Sequence, residues 1–199
     1  MPLAEFRYIE KALSTLDKER DQLEVISKLL QMEFTEIMNL HTMEYLNITT
    51  RVKGRDSLKE KILRQGYYKK YNDPIRLIYQ LSDLIGVRIE CRFEQDERAI
   101  YKVLKKHFNV RNDDGYYYNE MNPNVKLSLD GRQPQKQKNG FKIFRIDGIV
   151  TDTNNELPFE LQIKSLVNSF WGEIEHKIIY KNYNFLLVDD LLIEMMHSI

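Results

Sequence analysis

Residues 157–165, Leu-Pro-Phe-Glu-Leu-Gln-Ile-Lys-Ser, decide the fold because polar and apolar side chains alternate through them. Alternation with a period of two is typical of a β-strand with one buried face. The apolar face takes Phe159, Leu161 and Ile163, and the opposite face takes Glu160, Gln162 and Lys164. A helical pattern then runs from about residue 165 to about residue 180. The stretch therefore predicts a strand with polar groups on one side, followed by a helix.

The same two periodicities extend the prediction to the rest of the chain. Strands are predicted at residues 46–53, 86–93 and 141–151, and helices at residues 3–40 (one helix or two), 57–70, 73–81 and 96–108, with a last helix from about residue 188. The polar, tyrosine-rich residues 113–140 are predicted to form a long connection. Helices that alternate with four to five strands predict an α/β (α+β) fold, in which helices flank a central mixed sheet.

Along the chain we expect three parts. Residues 1–44 are an N-terminal helical segment packed on the core, residues 45–185 form the main domain, and residues 186–199 start a C-terminal helix that we expect to continue beyond the given sequence. The apolar stripe of the first part fits packing on the core, and it also fits association with a second copy of the chain.

Composition narrows the class of protein. The 199 residues carry 30 basic and 30 acidic side chains, so the basic excess of most nucleic-acid-binding proteins is missing. Cations are nevertheless concentrated in residues 49–64 and 126–145, which favours pockets for small polyanions over a long basic track. The lone Cys91 excludes an internal disulfide. The amino terminus lacks the pattern of a signal peptide and no run of about 20 apolar residues occurs, so we expect a cytoplasmic protein.

The segment from Arg51 to Lys61 has the pattern of a phosphate site. Arg51 and Lys53 alternate on one side of a predicted strand, Gly54 turns the chain, and a helix follows whose free N–H groups favour an anion. Ser57 and Lys61 lie four residues apart and share a face of this helix. The alternative is structural, since Ser57 and Glu60 have the spacing of a capping box.

Two carboxylates stand on or next to predicted strands. Asp83 precedes the strand at 86–93, and Glu160 lies within the strand at 157–163. On neighbouring strands they could share a Mg²⁺ ion. The alternative, which the spacing alone favours, is that a carboxylate at the centre of a strand is a solvated residue on the exposed face of the sheet. His176 has no second histidine at metal-ligand spacing, which favours a positioning role beside Glu175. P-loop, dinucleotide-binding, hydrolase-elbow and CxxC motifs are all missing from the sequence.

In this order, RVKGRDSLKEK (51–61), SDLIGVRI (82–89) and FELQIKSLVNSFWGEIEHKIIYK (159–181) resemble the synthetase domain of RelA/SpoT proteins. The resemblance implies a nucleotidyltransferase-like synthetase fold and a reaction in which ATP gives its β,γ-diphosphate to the 3′-hydroxyl of GDP or GTP, which makes (p)ppGpp. It implies that Arg51, Lys53, Ser57 and Lys61 hold the ATP phosphates. It further implies that Asp83 and Glu160 bind Mg²⁺, that Glu160 is the base with Gln162 beside it, and that Arg88, Glu175 and His176 support the site.

The acceptor loop departs from the family pattern of a lysine followed by N-G-Y-R-S-x-H. Here Phe141 replaces the tyrosine that stacks on guanine, Lys142 preserves a cation, and Ile143 and Arg145 replace the serine and histidine. The resemblance implies an acceptor site made of Lys136, Lys138, Phe141, Lys142 and Arg145. The changes leave open two alternatives, transfer to a tRNA 3′ end and a catalytically silent nucleotide-binding module. The family's hydrolase activity uses a His-Asp pair that this sequence lacks.

Overall fold

The computed structural model describes residues 3–136, 142–152 and 155–174, and a mixed sheet is its main feature. In chain order the described strands are β1 Asn47–Val52, β2 Ile85–Cys91, β3 Val110–Arg111, β4 Tyr117–Asn119, β5 Asn122–Leu127, β6 Gln135–Lys136, β7 Lys142–Asp152 and β8 Asn155–Ser165. The described helices are α1 Leu3–Leu40, α2 Arg55–Gln65, α3 Tyr67–Lys70, α4 Pro74–Gln80, α5 Glu94–His107 and α6 Leu166–Ile174.

The order of strands across the sheet is β1-β2-β8-β7-β5-β4-β3, with β6 paired to β7. Only β2 and β8 run parallel among the described pairs, so the sheet is mixed, as the sequence predicts. The strand count of four to five was too low. The error lies mainly in residues 113–140, where the predicted connection contains β4, β5 and β6. Asparagine and proline conceal the alternation of β5, whose Val125 and Leu127 are buried.

Helix α1 is a single helix of 38 residues that covers one face of the sheet. Its apolar residues recur at helical spacing and are buried: Ile9, Leu13, Leu16, Leu23, Ile26, Leu30, Phe34 and Ile37. Three polar contacts fix the helix to the segments that lead into the site. The Gln31 amide donates to the Ile48 carbonyl in β1 (2.6 Å), and the Arg55 guanidinium at the start of α2 pairs with Glu10 (3.3 Å) and Asp17. Burial of this apolar stripe is the main source of α1 stability.

The start of α2 differs from one prediction. Helix α2 begins at Arg55 after the N-cap Gly54, and no side chain caps it. Ser57 is therefore inside the first turn, and the capping box with Glu60 was wrong because the helix starts three residues earlier than that motif requires. No side chain caps the amide groups of this first turn, which keeps them available to an anion.

The junction of β8 and α6 is held by a buried carboxylate from α5. Glu97 accepts hydrogen bonds from the Ser165 amide (2.5 Å) and the Asn168 side chain (2.8 Å). Glu97 is 4% exposed, so these contacts compensate its burial and fix the end of β8. Among the described helices, none combines the length and the apolar character that crossing a membrane would require.

Candidate active site

Four adjacent strands bring polar side chains together on one face of the sheet. The strand register places them in two transverse rows: Arg51, Gly86, Glu160 and Asp147 in one, and Thr49, Arg88, Gln162 and Arg145 in the next. The intervening residues of β2 and β8 are buried on the opposite face, as the alternation in these strands predicts. The sheet therefore joins residues that are far apart along the chain into one polar surface.

A cavity of about 220 Å³ opens on this surface. Its lining consists of Thr49, Thr50, Arg51, Asp83, Gly86, Val87, Arg88, Glu160 and Gln162. The cavity is thus lined by both candidate Mg²⁺ ligands, Asp83 and Glu160, of which Glu160 is also the candidate base. Two predicted cationic residues, Arg51 and Arg88, line it as well. Thr49, Thr50 and Gly86 were not among the predicted site residues, although the two threonines precede Arg51 in a predicted strand and could have been included on that ground.

The Arg51 side chain lies against Gly86 in the cavity. The two residues are partners across β1 and β2, and a β-carbon at position 86 would lie 3.5 Å from both Cγ and Nε of Arg51, which is ordinary van der Waals contact. The arginine side chain therefore lies across the neighbouring strand at Gly86, within the cavity that both residues line.

Asp83 is held by two lysines from different elements. Its Oδ2 accepts from Lys53 Nζ at 2.9 Å, and its Oδ1 lies 2.7 Å from Lys61 Nζ. Burial by itself would raise the pKa of Asp83, but the hydrogen bonds and charges of Lys61 and Lys53 outweigh it and lower the pKa. The carboxylate is therefore ionised and the two lysines are fixed beside it.

Glu160 has donors on both carboxylate oxygens. The Gln162 side chain donates to Oε1, and Arg145 Nε lies 2.7 Å from Oε2. Only 12% of the Glu160 side chain is exposed, whereas Arg145 is 42% exposed. The carboxylate is thus nearly buried, and its partner reaches it from the solvent side.

The backbone of Arg145 is itself held in place. The Gln133 side chain accepts from the Arg145 amide (3.2 Å) and donates to the Arg145 carbonyl, which also accepts from Gln135 Nε2 (3.0 Å). Gln133 thereby satisfies both main-chain groups as a neighbouring strand would. No pattern in the sequence indicated this role for Gln133.

The remaining predicted residues lie further out or outside the described part of the chain. Ser57 is exposed on α2 and does not line the cavity. Lys136 and Lys142 are exposed partners of β6 and β7. Arg88, by contrast, lines the cavity and lies 3.8 Å from Glu90. The structure gives no placement for the following predicted residues, which lie outside the described residues: Lys138, Phe141, Glu175 and His176.

The site has the donors that Mg²⁺ prefers. Within the described residues no group of three or more histidine, cysteine, aspartate or glutamate side chains is placed to hold a metal. The cavity has two carboxylates, Asp83 and Glu160. Mg²⁺ commonly binds to one or two carboxylates and completes its shell with water and substrate phosphates. The residues present therefore fit Mg²⁺ that arrives together with a nucleotide.

Comparison with solved structures places this arrangement in a known fold. The small alarmone synthetase 1 from Bacillus subtilis superposes with a TM-score of 0.64 at 20% identity, over 92% of this chain and 88% of that one. A GTP pyrophosphokinase family protein from Streptococcus pneumoniae gives a TM-score of 0.66 at 19% identity, over 92% and 87% of the two chains. At this identity the likeness shows the fold, and it covers nearly the whole chain.

Residues 50–184 match the family described as the region found in RelA/SpoT proteins. Because this match covers more than half of the sequence, the chain belongs to the RelA/SpoT family. The GTP pyrophosphokinase YwaC of Bacillus subtilis strain 168 is 26% identical over 164 residues, 82% of this chain and 71% of YwaC. The GTP pyrophosphokinase YjbM of the same organism is 24% identical over 140 residues, 67% of this chain and 56% of YjbM.

Proposed function

We propose that this chain transfers the β,γ-diphosphate of ATP to the 3′-hydroxyl of GDP or GTP and so makes (p)ppGpp. The observation that carries the proposal is the convergence of Arg51, Asp83, Arg88, Glu160 and Gln162 on one cavity. The names of the relatives YwaC and YjbM support it, as does the structure of the Bacillus subtilis small alarmone synthetase 1 bound to its product pppGpp.

The donor side of the proposed site is formed by β1 and α2. Arg51 and the two lysines beside Asp83 supply positive charge, and the uncapped first turn of α2 supplies amide donors. Ser57 lies in that turn, where its hydroxyl adds a donor for a phosphate oxygen. A structure of the Bacillus subtilis relative bound to AMPCPP supports the binding of an ATP-like nucleotide by this fold.

The metal requirement follows from the carboxylates. Asp83 and Glu160 would hold Mg²⁺, which when bound neutralises charge on the transferring phosphates. Lys53 and Lys61 would then exchange Asp83 for the phosphate oxygens, because a polyanion offers them more negative charge than one carboxylate does. The chain positions both groups before the nucleotide arrives, which lowers the entropic cost of assembling the site.

Glu160 is the proposed base toward the acceptor. One of its oxygens takes the proton of the ribose 3′-hydroxyl while the hydroxyl oxygen attacks the β-phosphorus of ATP. The bond from that phosphorus to the α–β bridging oxygen breaks, and AMP leaves with the electron pair. Gln162 keeps Glu160 oriented through its amide, and Lys136, Lys138, Phe141, Lys142 and Arg145 form the proposed acceptor side. ATP and guanine nucleotides are abundant in the cytoplasm, which we propose as the place of the reaction.

The test follows ATP labelled in its γ-phosphate. The purified chain is incubated with Mg²⁺ and, in separate reactions, with GDP, GTP and deacylated tRNA, and Glu160→Gln serves as the inactive variant. Label in ppGpp or pppGpp that is lost in the variant would support the proposal. Label in tRNA would contradict GDP and GTP as the acceptors and would identify the tRNA 3′ end as the acceptor. Binding of ATP without labelling of any acceptor would contradict the proposal and favour a catalytically silent nucleotide-binding module.

A further inference from the structure

The Arg145 guanidinium pairs with one of the two carboxylate oxygens of Glu160, so it competes with any other group that would bind to that oxygen. The guanidinium Nε lies 2.7 Å from Oε2, and the Gln162 amide occupies Oε1. Arg145 takes one acceptor position of Oε2 and lies on the solvent side of the carboxylate, so a hydroxyl or a metal that approaches Oε2 from solvent has to displace it. The free chain is therefore organised around an ion pair that the reaction must break.

The structure indicates which partner moves. The main chain of Arg145 is fixed by Gln133 and Gln135, and Glu160 lies in the middle of β8 between two paired strands. The Arg145 side chain, 42% exposed, is the part that is free to turn toward solvent, whereas Glu160 is only 12% exposed. Rotation of a long arginine side chain changes its partner without any change in the sheet.

We propose that Arg145 exchanges Glu160 for the 5′-phosphates of the acceptor nucleotide, so that binding of the acceptor itself releases the base. The inference rests on the proposed function for the identity of the acceptor. A guanidinium matches phosphate oxygens with a planar fork of donors, and a diphosphate carries more charge than a carboxylate. The exchange therefore ties the availability of Glu160 to the presence of an acceptor.

The spacing on the sheet fits a nucleotide. Arg145 is the cross-strand partner of Gln162, and Glu160 is the partner of Asp147, so Arg145 and Glu160 are diagonal neighbours on β7 and β8. Diagonal positions are about 7 Å apart. The two side chains now meet across this separation at 2.7 Å. A turn of Arg145 away from Glu160 would open a gap for the acceptor ribose, with its 3′-hydroxyl toward Glu160 and its 5′-phosphates toward Arg145.

The exchange predicts that removal of the charge on Glu160 tightens acceptor binding. In Glu160→Gln, Arg145 no longer has to leave an ion pair, so we expect affinity for GDP to increase about three- to tenfold in titration calorimetry. Guanosine, which has no phosphate, should bind both proteins equally. The gain should disappear when Arg145→Gln is added, because the residue that the substitution releases is then missing.

A matched control separates this exchange from general electrostatics. Asp147→Asn also removes a negative charge from the same face, at the position directly opposite Glu160. It should raise GDP affinity less than Glu160→Gln does. If Arg145→Gln fails to fold, Arg145→Lys replaces it, since lysine keeps the charge but lacks the fork, and the gain should then be reduced.

The results also distinguish this inference from the proposed reaction. A gain in GDP affinity without any labelled (p)ppGpp would overturn the proposed reaction and leave the exchange standing. Labelled product with no gain in Glu160→Gln, or an equal gain in the Arg145→Gln background or in Asp147→Asn, would overturn the exchange alone. Failure of GDP to bind to any of these proteins would overturn both.

Discussion

The ring of Phe159 lies directly over Gly148, its partner across β7 and β8. A β-carbon on Gly148 would come within 2.7 Å of Cε2 of that ring, which is closer than carbon atoms pack. Phe159 is fully buried and meets Phe34 of α1 edge-to-face at 6.1 Å, so it has no room to withdraw. The absence of a side chain at position 148 is therefore a condition for the close packing of α1 on the centre of the sheet.

We expect Gly148→Ala to destabilise the fold by about 1–3 kcal/mol, since overpacking forces side chains or backbone to shift. Urea denaturation followed by circular dichroism measures the change. Gly131→Ala is the control, because a β-carbon at that position meets nothing within 4 Å. Equal stability of the two variants would show that Phe159 can move away from Gly148.

Acid should weaken the fold through Asp83. The pKa of its carboxyl is lower in the folded chain than the ordinary 3.8, because the lysine contacts outweigh the opposing effect of burial. A group with a lowered folded pKa stabilises the protein fully above its unfolded pKa, and this contribution is lost as pH falls through the folded value. We expect the melting temperature of the wild type to fall more steeply below about pH 4 than that of Asp83→Asn. Parallel curves would contradict this assignment.

Binding of Mg²⁺ and binding of ATP should be positively coupled through Asp83. Without Mg²⁺, ATP must take Lys53 and Lys61 away from a carboxylate that is left uncompensated. We expect Asp83→Asn to bind metal-free ATP more tightly than the wild type does. The factor by which Mg²⁺ increases ATP affinity should be about tenfold smaller in this variant, measured by titration calorimetry. Asp56→Asn, at an exposed aspartate in the first turn of α2, is the control and should keep the enhancement.

The thiol of Cys91 should be inert in the folded protein. Burial, together with the charges of Glu97, Asp96 and Glu90, raises the pKa of Cys91 to about 12. Because the thiolate is the reactive form, iodoacetamide at pH 8 should leave the native chain unlabelled and label it fully in concentrated urea. Mass spectrometry after a timed quench reads out both states. Rapid labelling of the native chain would mean that β2 opens readily to solvent.

Local periodicity predicted the elements of the site well. The alternation in residues 157–163 correctly assigned Glu160 and Gln162 to one face and Phe159 and Leu161 to the other, because a strand fixes its faces through its period of two. The charged side chains on or next to predicted strands also indicated residues that line the cavity, among them Arg51 and Asp83. These features depend on neighbours in sequence, and the sequence displays such neighbours directly.

Pairing between distant segments could not be predicted in the same way. The parallel contact of β2 with β8 joins parts of the chain that share no local signal, and the partners of each charge follow from that contact. The lysines at 53 and 61 were assigned to phosphates from their spacing, whereas their joint hold on Asp83 depends on the path of the chain through α2 and α4. Gln133 was not predicted because its side chain bonds the main chain of Arg145, as a neighbouring strand would, and no local pattern in the sequence indicates such a contact.

The division of the polar surface between chain segments affects how such a site can change. Arg51, Lys53, Lys61, Asp83 and Arg88 all come from β1, α2 and the region of β2, whereas Gln133, Arg145, Glu160 and Gln162 come from the segment that contains the β7–β8 hairpin. The second group is contiguous in the gene. Exchange of that one segment would replace the proposed acceptor-side residues together with Glu160, while Arg51, Lys53, Lys61 and Asp83 stay in place. A single recombination could therefore change the proposed acceptor site and keep the proposed ATP-phosphate site, provided that the new segment also carries a carboxylate at the position of Glu160.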